Sequence, residues 1–96
     1  MVTRETLTEK REAILKSAAL YGVYDVRVFG SVARGDCNEA SDVDLLVKVR
    51  PGRSLLDLGG FLMDMQELLG RKVYVLTDDG LKPRVRELVL REAIAL

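Results

Sequence analysis

Histidine is absent from this 96-residue chain, and several mechanisms go with it. No Ser-His-Asp triad, Cys-His pair or histidine-ligated zinc can be built from these residues alone. Cys37 is the single cysteine. It cannot form an internal disulfide, and it has no second thiol or imidazole with which to share a zinc ion. A lone thiol of this kind suits a reducing compartment, so cytoplasmic residence is the expectation. No apolar run approaches the ~20 residues of a membrane-spanning helix. Met1-Val2-Thr3-Arg4-Glu5 leads into charges rather than the apolar segment of a signal peptide. An excess of either charge is missing too: 15 basic side chains face 15 acidic ones, and aromatics make up 5%. Both figures argue against strong nucleic-acid binding. A small anionic ligand stays open, because one local turn is enough to hold it.

What is present is ordinary for a soluble globular protein, with 48% hydrophobic and 31% charged residues. The length predicts a single domain, residues 1–96, with a small core. Thr3 to Tyr21 reads as an amphipathic helix with Leu7, Ile14, Leu15, Ala18 and Ala19 on one face, closed by Gly22. Asp25 to Phe29 reads as a strand, and Ser31 to Arg34 as a short helical turn. Asp42 to Val49 is the second strand. Val43, Leu45, Val47 and Val49 share one face; Asp42, Asp44, Leu46 and Lys48 share the other. Ser54 caps a helix running to about Leu69, in which Gly59-Gly60 marks either a kink or close packing. After Gly70, Lys72 to Thr77 is the third strand and Asp78-Asp79-Gly80 a turn. Pro83 opens a last helix reaching Ala93 or beyond, with Val85, Leu88, Val89 and Ile94 as its buried stripe. The fold class is α/β: a mixed three-stranded sheet with helices covering one side.

Chemistry concentrates between the first two strands. Val28-Phe29-Gly30-Ser31-Val32-Ala33-Arg34-Gly35-Asp36 ends an apolar run in a Gly-Ser pair. Ten residues after that pair, Ser41-Asp42-Val43-Asp44-Leu45-Leu46-Val47 opens another run with two aspartates. Gly30 lets backbone approach a ligand without a Cβ, and the amides that follow, with the Ser31 hydroxyl, can donate to phosphate. By itself such a pair is also common turn punctuation. Asp42 and Asp44 at i and i+2 on a strand point the same way, about 6.6 Å apart. Their carboxylates can converge on one magnesium ion or bridge two. Aspartate is a poor strand former, so two on one face of an apolar strand need a reason, although Asp42 could also serve as an entrance turn or bulge. Arg34 either reaches phosphate or pairs with Asp36 or Glu39 to shape the loop.

The wording Phe-Gly-Ser-Val-Ala-Arg-Gly-Asp followed by Ser-Asp-Val-Asp-Leu-Leu-Val resembles the minimal nucleotidyltransferase branch of the DNA polymerase beta-like nucleotidyltransferase superfamily. The resemblance covers nearly the whole chain. It implies the palm-like nucleotidyltransferase fold. It also implies Mg2+ held by Asp42 and Asp44 as catalytic residues, with ATP phosphates at Gly30 and Ser31. Members are commonly paired with a small helical HEPN-domain protein, and some act as antitoxins by moving AMP from ATP to a tyrosine of that partner. One expected part differs. A third carboxylate belongs on the third strand, where Lys72-Val73-Tyr74-Val75-Leu76-Thr77 carries Tyr74. Asp78 or Asp79 would replace it if their loop folds back.

Two functions follow. One is an active protein adenylyltransferase, dependent on metal and ATP. The other is a catalytically weak binding subunit that neutralises its partner by covering it. The last helix could present an apolar face to that partner or to a second copy of the chain, although ordinary core packing is the expected use of that face. The nucleotide base and the acceptor are not legible.

Overall fold

The computed structural model describes residues 1–96. A helix opens the chain at Thr3, whose side chain accepts from the Thr6 amide in a reciprocal capping box. The expected single helix is two, α1 (Arg4–Glu9) and α2 (Arg11–Leu20), separated at Lys10. The Thr8 hydroxyl donates to the Arg4 carbonyl at 3.0 Å, a back-bond that bends helices. Tyr21 ends α2 and Gly22, at φ +70°, turns the chain into β1 (Val23–Phe29). The five-residue α3 (Gly30–Arg34) follows at once and closes on Gly35, at φ +83°. Next come β2 (Val43–Val49), α4 (Leu55–Leu69) and β3 (Val73–Thr77), then a tight 3₁₀ turn at Asp78–Gly80 and α5 (Pro83–Glu92).

The sheet has four strands in the order β3-β2-β1-β4, one more than expected. The extra strand, β4 (Ile94–Ala95), takes the chain out of the last helix, so that Ile94 pairs with Val28 instead of extending a helical stripe. β1 is antiparallel to β2 and β4, whereas β2 and β3 run parallel. Parallel neighbours need a crossover, and α4 supplies it. Ser54 accepts from the Leu56 amide at 3.2 Å while Asp57 accepts from the Ser54 amide at 3.0 Å. That amide bond is the main cause holding the Asp57 carboxyl below the usual range.

Sixteen buried residues make the principal core on one face of the sheet, including Leu7, Ile14, Val43, Leu45, Phe61 and Met65. The other face is not left bare, as one-sided helical cover would require. Leu46 and Val89 are buried there outside the main cluster. α5 runs along this face, pinned near its start by an ion pair from Arg86 to Asp78 and at its end by one from Glu92 to Arg34. The stripe expected on α5 is mostly open: Val89 is buried, but Val85 is 45% and Leu88 59% exposed. Helical spacing reveals an apolar face; what covers it depends on tertiary placement.

The paired glycines of α4 do different things. A Cβ on Gly60 would meet the Tyr21 ring at 2.4 Å, whereas one on Gly59 would meet nothing within 4 Å. Close packing is therefore the use of Gly60. Gly59→Ala is expected to raise stability by about 0.5–1 kcal/mol through helix propensity. Gly60→Ala is expected to lower it by about 1–2 kcal/mol, because overpacking outweighs that gain. Urea unfolding of the two variants checks the opposite signs.

Candidate functional site

The two halves of the motif meet through sheet register. Phe29, the last residue of β1, lies opposite Asp44 of β2. The chain turns immediately at Gly30, whose φ of +73° is left-handed. A Cβ built on Gly30 would lie 2.3 Å from Oδ2 of Asp44. Glycine is thus required twice here, by its backbone angle and by the carboxylate pressed against it. Ser31, Val32 and the rest of α3 follow with no side-chain cap at the helix start, which leaves amides at this end free for an acceptor.

Val43 faces the core and is fully buried, so Asp44 lies on the opposite face, half-buried. Asp42 precedes the strand by one residue instead of opening it, because β2 begins at Val43. It still acts on its neighbour. Burial is the largest influence pushing the Asp44 carboxyl above its usual range; the charges of Asp42 and Glu92 add to the rise and Arg34 opposes it. Asp44 thus sits against the Gly30 turn with the Asp42 charge repelling its own, and carboxylate oxygens are the donor type a hard cation takes.

This shift predicts a pH dependence. The folded state holds the Asp44 proton more tightly than the unfolded chain does. Its stabilising effect is full below the unfolded carboxylate value and is lost as pH rises through the raised folded value. Asp44→Asn is therefore expected to be the more stable protein at pH ~7, with the advantage shrinking toward pH ~3 as Asp44 becomes protonated. Urea midpoints of both proteins across that range, in chelator, check this.

Tyr74 is level with Asp44 in the parallel pair and stands on the same face, 42% exposed. Lys72 Nζ lies 5.1 Å from the centre of its ring. Neither Asp78 nor Asp79 replaces the expected third carboxylate. β3 runs away from Asp44, and Thr77 is level with Val47, about 10 Å beyond Tyr74 along the strand. Asp78 instead pairs with Arg86, which holds its carboxyl below the usual range, and lines a separate cleft with Tyr24 and Lys48. No three acidic, cysteine or histidine side chains gather anywhere into a metal-holding group.

Arg34 shapes the loop. It binds Asp36 at 3.1 Å and also Glu92, but not Glu39. Glu92 is the site neighbour that sequence reasoning missed: it lies 58 positions from Arg34, and no local spacing could signal that contact. Cys37 is half-buried, and its thiol donates to the Val2 carbonyl at 3.5 Å, as befits a packed loop residue. No helix is long and apolar enough to cross a membrane.

Residues 9–96 match the nucleotidyltransferase domain family. Among individual proteins, a chain of Methanocaldococcus jannaschii assigned as protein adenylyltransferase MJ0435 is 36% identical over 92% of this chain and 95% of its own length. Protein adenylyltransferase MntA of Thermococcus cleftensis is 38% identical over 77% of this chain and 75% of its own. A solved structure described as a minimal nucleotidyltransferase superposes with a TM-score of 0.88 at 50% identity, over 99% of this chain and 97% of that one. A toxin–antitoxin crystal structure with AMP-PNP shares the fold, with a TM-score of 0.74 at 15% identity over 88% of this chain and 69% of that one.

Proposed function

Because the chain belongs to the nucleotidyltransferase domain family, we propose that it transfers AMP from ATP to a hydroxyl of a partner protein, with residues 1–96 acting as one domain. The observation that carries this reading is the contact between the left-handed Gly30 and the Asp44 carboxylate. That contact brings the start of α3 beside one of the two aspartates, which supports a shared phosphate and metal site.

In this reading Gly30 and Ser31 bind the phosphates through backbone N–H groups and the Ser31 hydroxyl. Asp42 and Asp44 hold Mg2+; the donor set fits, being oxygen only, doubly charged and partly desolvated. When bound, the ion offsets the charge of the triphosphate and of the leaving pyrophosphate. The pair Arg34–Glu92 fixes α3 against the end of α5, so the turn keeps its shape when the ligand arrives. The acceptor comes from another chain. A HEPN-domain toxin is the partner this reading expects, and the relatives named protein adenylyltransferase support the reaction class. The toxin–antitoxin neighbour that holds AMP-PNP supports an adenine nucleotide and a toxin partner. A cytoplasmic setting accords with the free thiol of Cys37.

A second reading has its own support. Tyr74 stands where a third carboxylate is expected, and Val85 and Leu88 expose an apolar face of α5. A binding subunit that covers its partner needs only that face. The two readings separate in one experiment. The chain is incubated with ATP labelled at the α-phosphate, magnesium and a candidate HEPN-domain partner protein. Label on the partner, absent with Asp44→Asn, supports transfer. A stable complex without label supports the binder.

A further inference from the structure

We propose that Tyr74 is a self-modification site: its phenol accepts AMP from ATP bound beside Gly30 and Asp44 of the same molecule. The inference rests on the transferase reading above and extends it to an acceptor within the chain.

Parallel register sets Tyr74 directly beside Asp44 on the same face of the sheet, one strand spacing of about 4.8 Å away. The residue is 42% exposed, so ligand and water can both reach it. Lys72, which immediately precedes β3, holds its ammonium 5.1 Å from the ring centre. That cation favours negative charge developing on the phenol oxygen during attack. The Tyr74 phenol and the Asp42 charge both favour the protonated form of Lys72, so the cation persists. A carboxylate in this position would add a ligand to the metal set. Tyrosine is a poor ligand for magnesium but a competent nucleophile.

The step balances without any further reactant. The Tyr74 phenol oxygen bonds to the α-phosphorus of ATP, and the bond from that phosphorus to the oxygen bridging to the β-phosphate breaks. Pyrophosphate leaves, and the phenolic proton passes to bulk water at the exposed strand edge. The product carries an aryl phosphodiester beside Asp44, where it fills the opening that a second nucleotide needs. Self-modification therefore lowers the chain's capacity to bind ATP.

The test uses the whole purified chain with magnesium and ATP, without any partner. Binding of the nucleotide is measured separately by calorimetry. Intact mass is expected to rise by one adenylyl group, with fragmentation placing the group on Tyr74. The gain is expected to vanish in Tyr74→Phe and in Asp44→Asn, and the modified chain is expected to lose most of its ATP binding. If the chain binds magnesium-ATP yet its mass stays unchanged, or the group maps to another residue, the self-modification proposal is overturned while the transferase reading stands. If the chain does not bind magnesium-ATP, both fall together.

Discussion

Asp44→Asn is expected to lower transfer to the partner by roughly 10²–10⁴-fold. A catalytic cation stabilises transition-state charge by several kcal/mol, and each 1.36 kcal/mol is about tenfold in rate. An amide keeps the shape of the carboxylate but not its charge, so the ion is held weakly even where the nucleotide still touches the turn. The loss cannot be assigned to unfolding, because the same change removes a desolvated carboxylate whose neighbours Asp42 and Glu92 repel it. Activity and stability thus move in opposite directions. Label transfer and urea unfolding, measured on one preparation, check the pair of effects. A variant that loses activity and stability together would point to a structural role for Asp44.

Gly30→Ala is the second large effect, and it strikes both properties at once. The residue sits at φ +73°, a left-handed angle that costs a side chain about 1–2 kcal/mol. The new Cβ would also lie 2.3 Å from Asp44 Oδ2, and overpacking of this kind costs about 1–3 kcal/mol. A loss of roughly 2–5 kcal/mol is large against the ~5–15 kcal/mol that holds a typical domain together. The displaced carboxylate leaves the turn, so magnesium-ATP binding is lost even at temperatures where the variant is folded. Gly35 supplies the comparison. Its φ is +83°, but a Cβ there meets nothing within 4 Å. Gly35→Ala is expected to cost only the backbone term, about 1–2 kcal/mol, and to leave binding intact. Urea midpoints and calorimetry on both variants separate strain from obstruction.

These two positions were legible before any coordinates because their signals are local. A glycine closing an apolar run, and aspartates two apart at the start of another, announce themselves within a few residues. The Ser54 cap and the Gly70 end of α4 were legible for the same reason, since capping chemistry needs only neighbours along the chain. What escaped was set by long-range placement. β4 is two residues long and exists because it pairs with β1; alone it carries no strand signal. The Arg34–Glu92 pair and the seat of Gly60 against Tyr21 join segments far apart in sequence. Asp78 and Asp79 looked able to replace the missing carboxylate until the direction of β3 put them at the far end of the strand from Asp44. The amphipathic pattern of α5 was visible, but its pattern could not say that Val85 and Leu88 face outward.

The most direct measurement is calorimetric titration of magnesium-ATP into the isolated chain and into Asp44→Asn. One saturable site in the wild-type protein is expected, absent from the folded variant and absent from the wild type in chelator. Equal binding by both proteins, or no binding by the wild type at millimolar nucleotide, would contradict the nucleotide site proposed at Gly30 and Asp44.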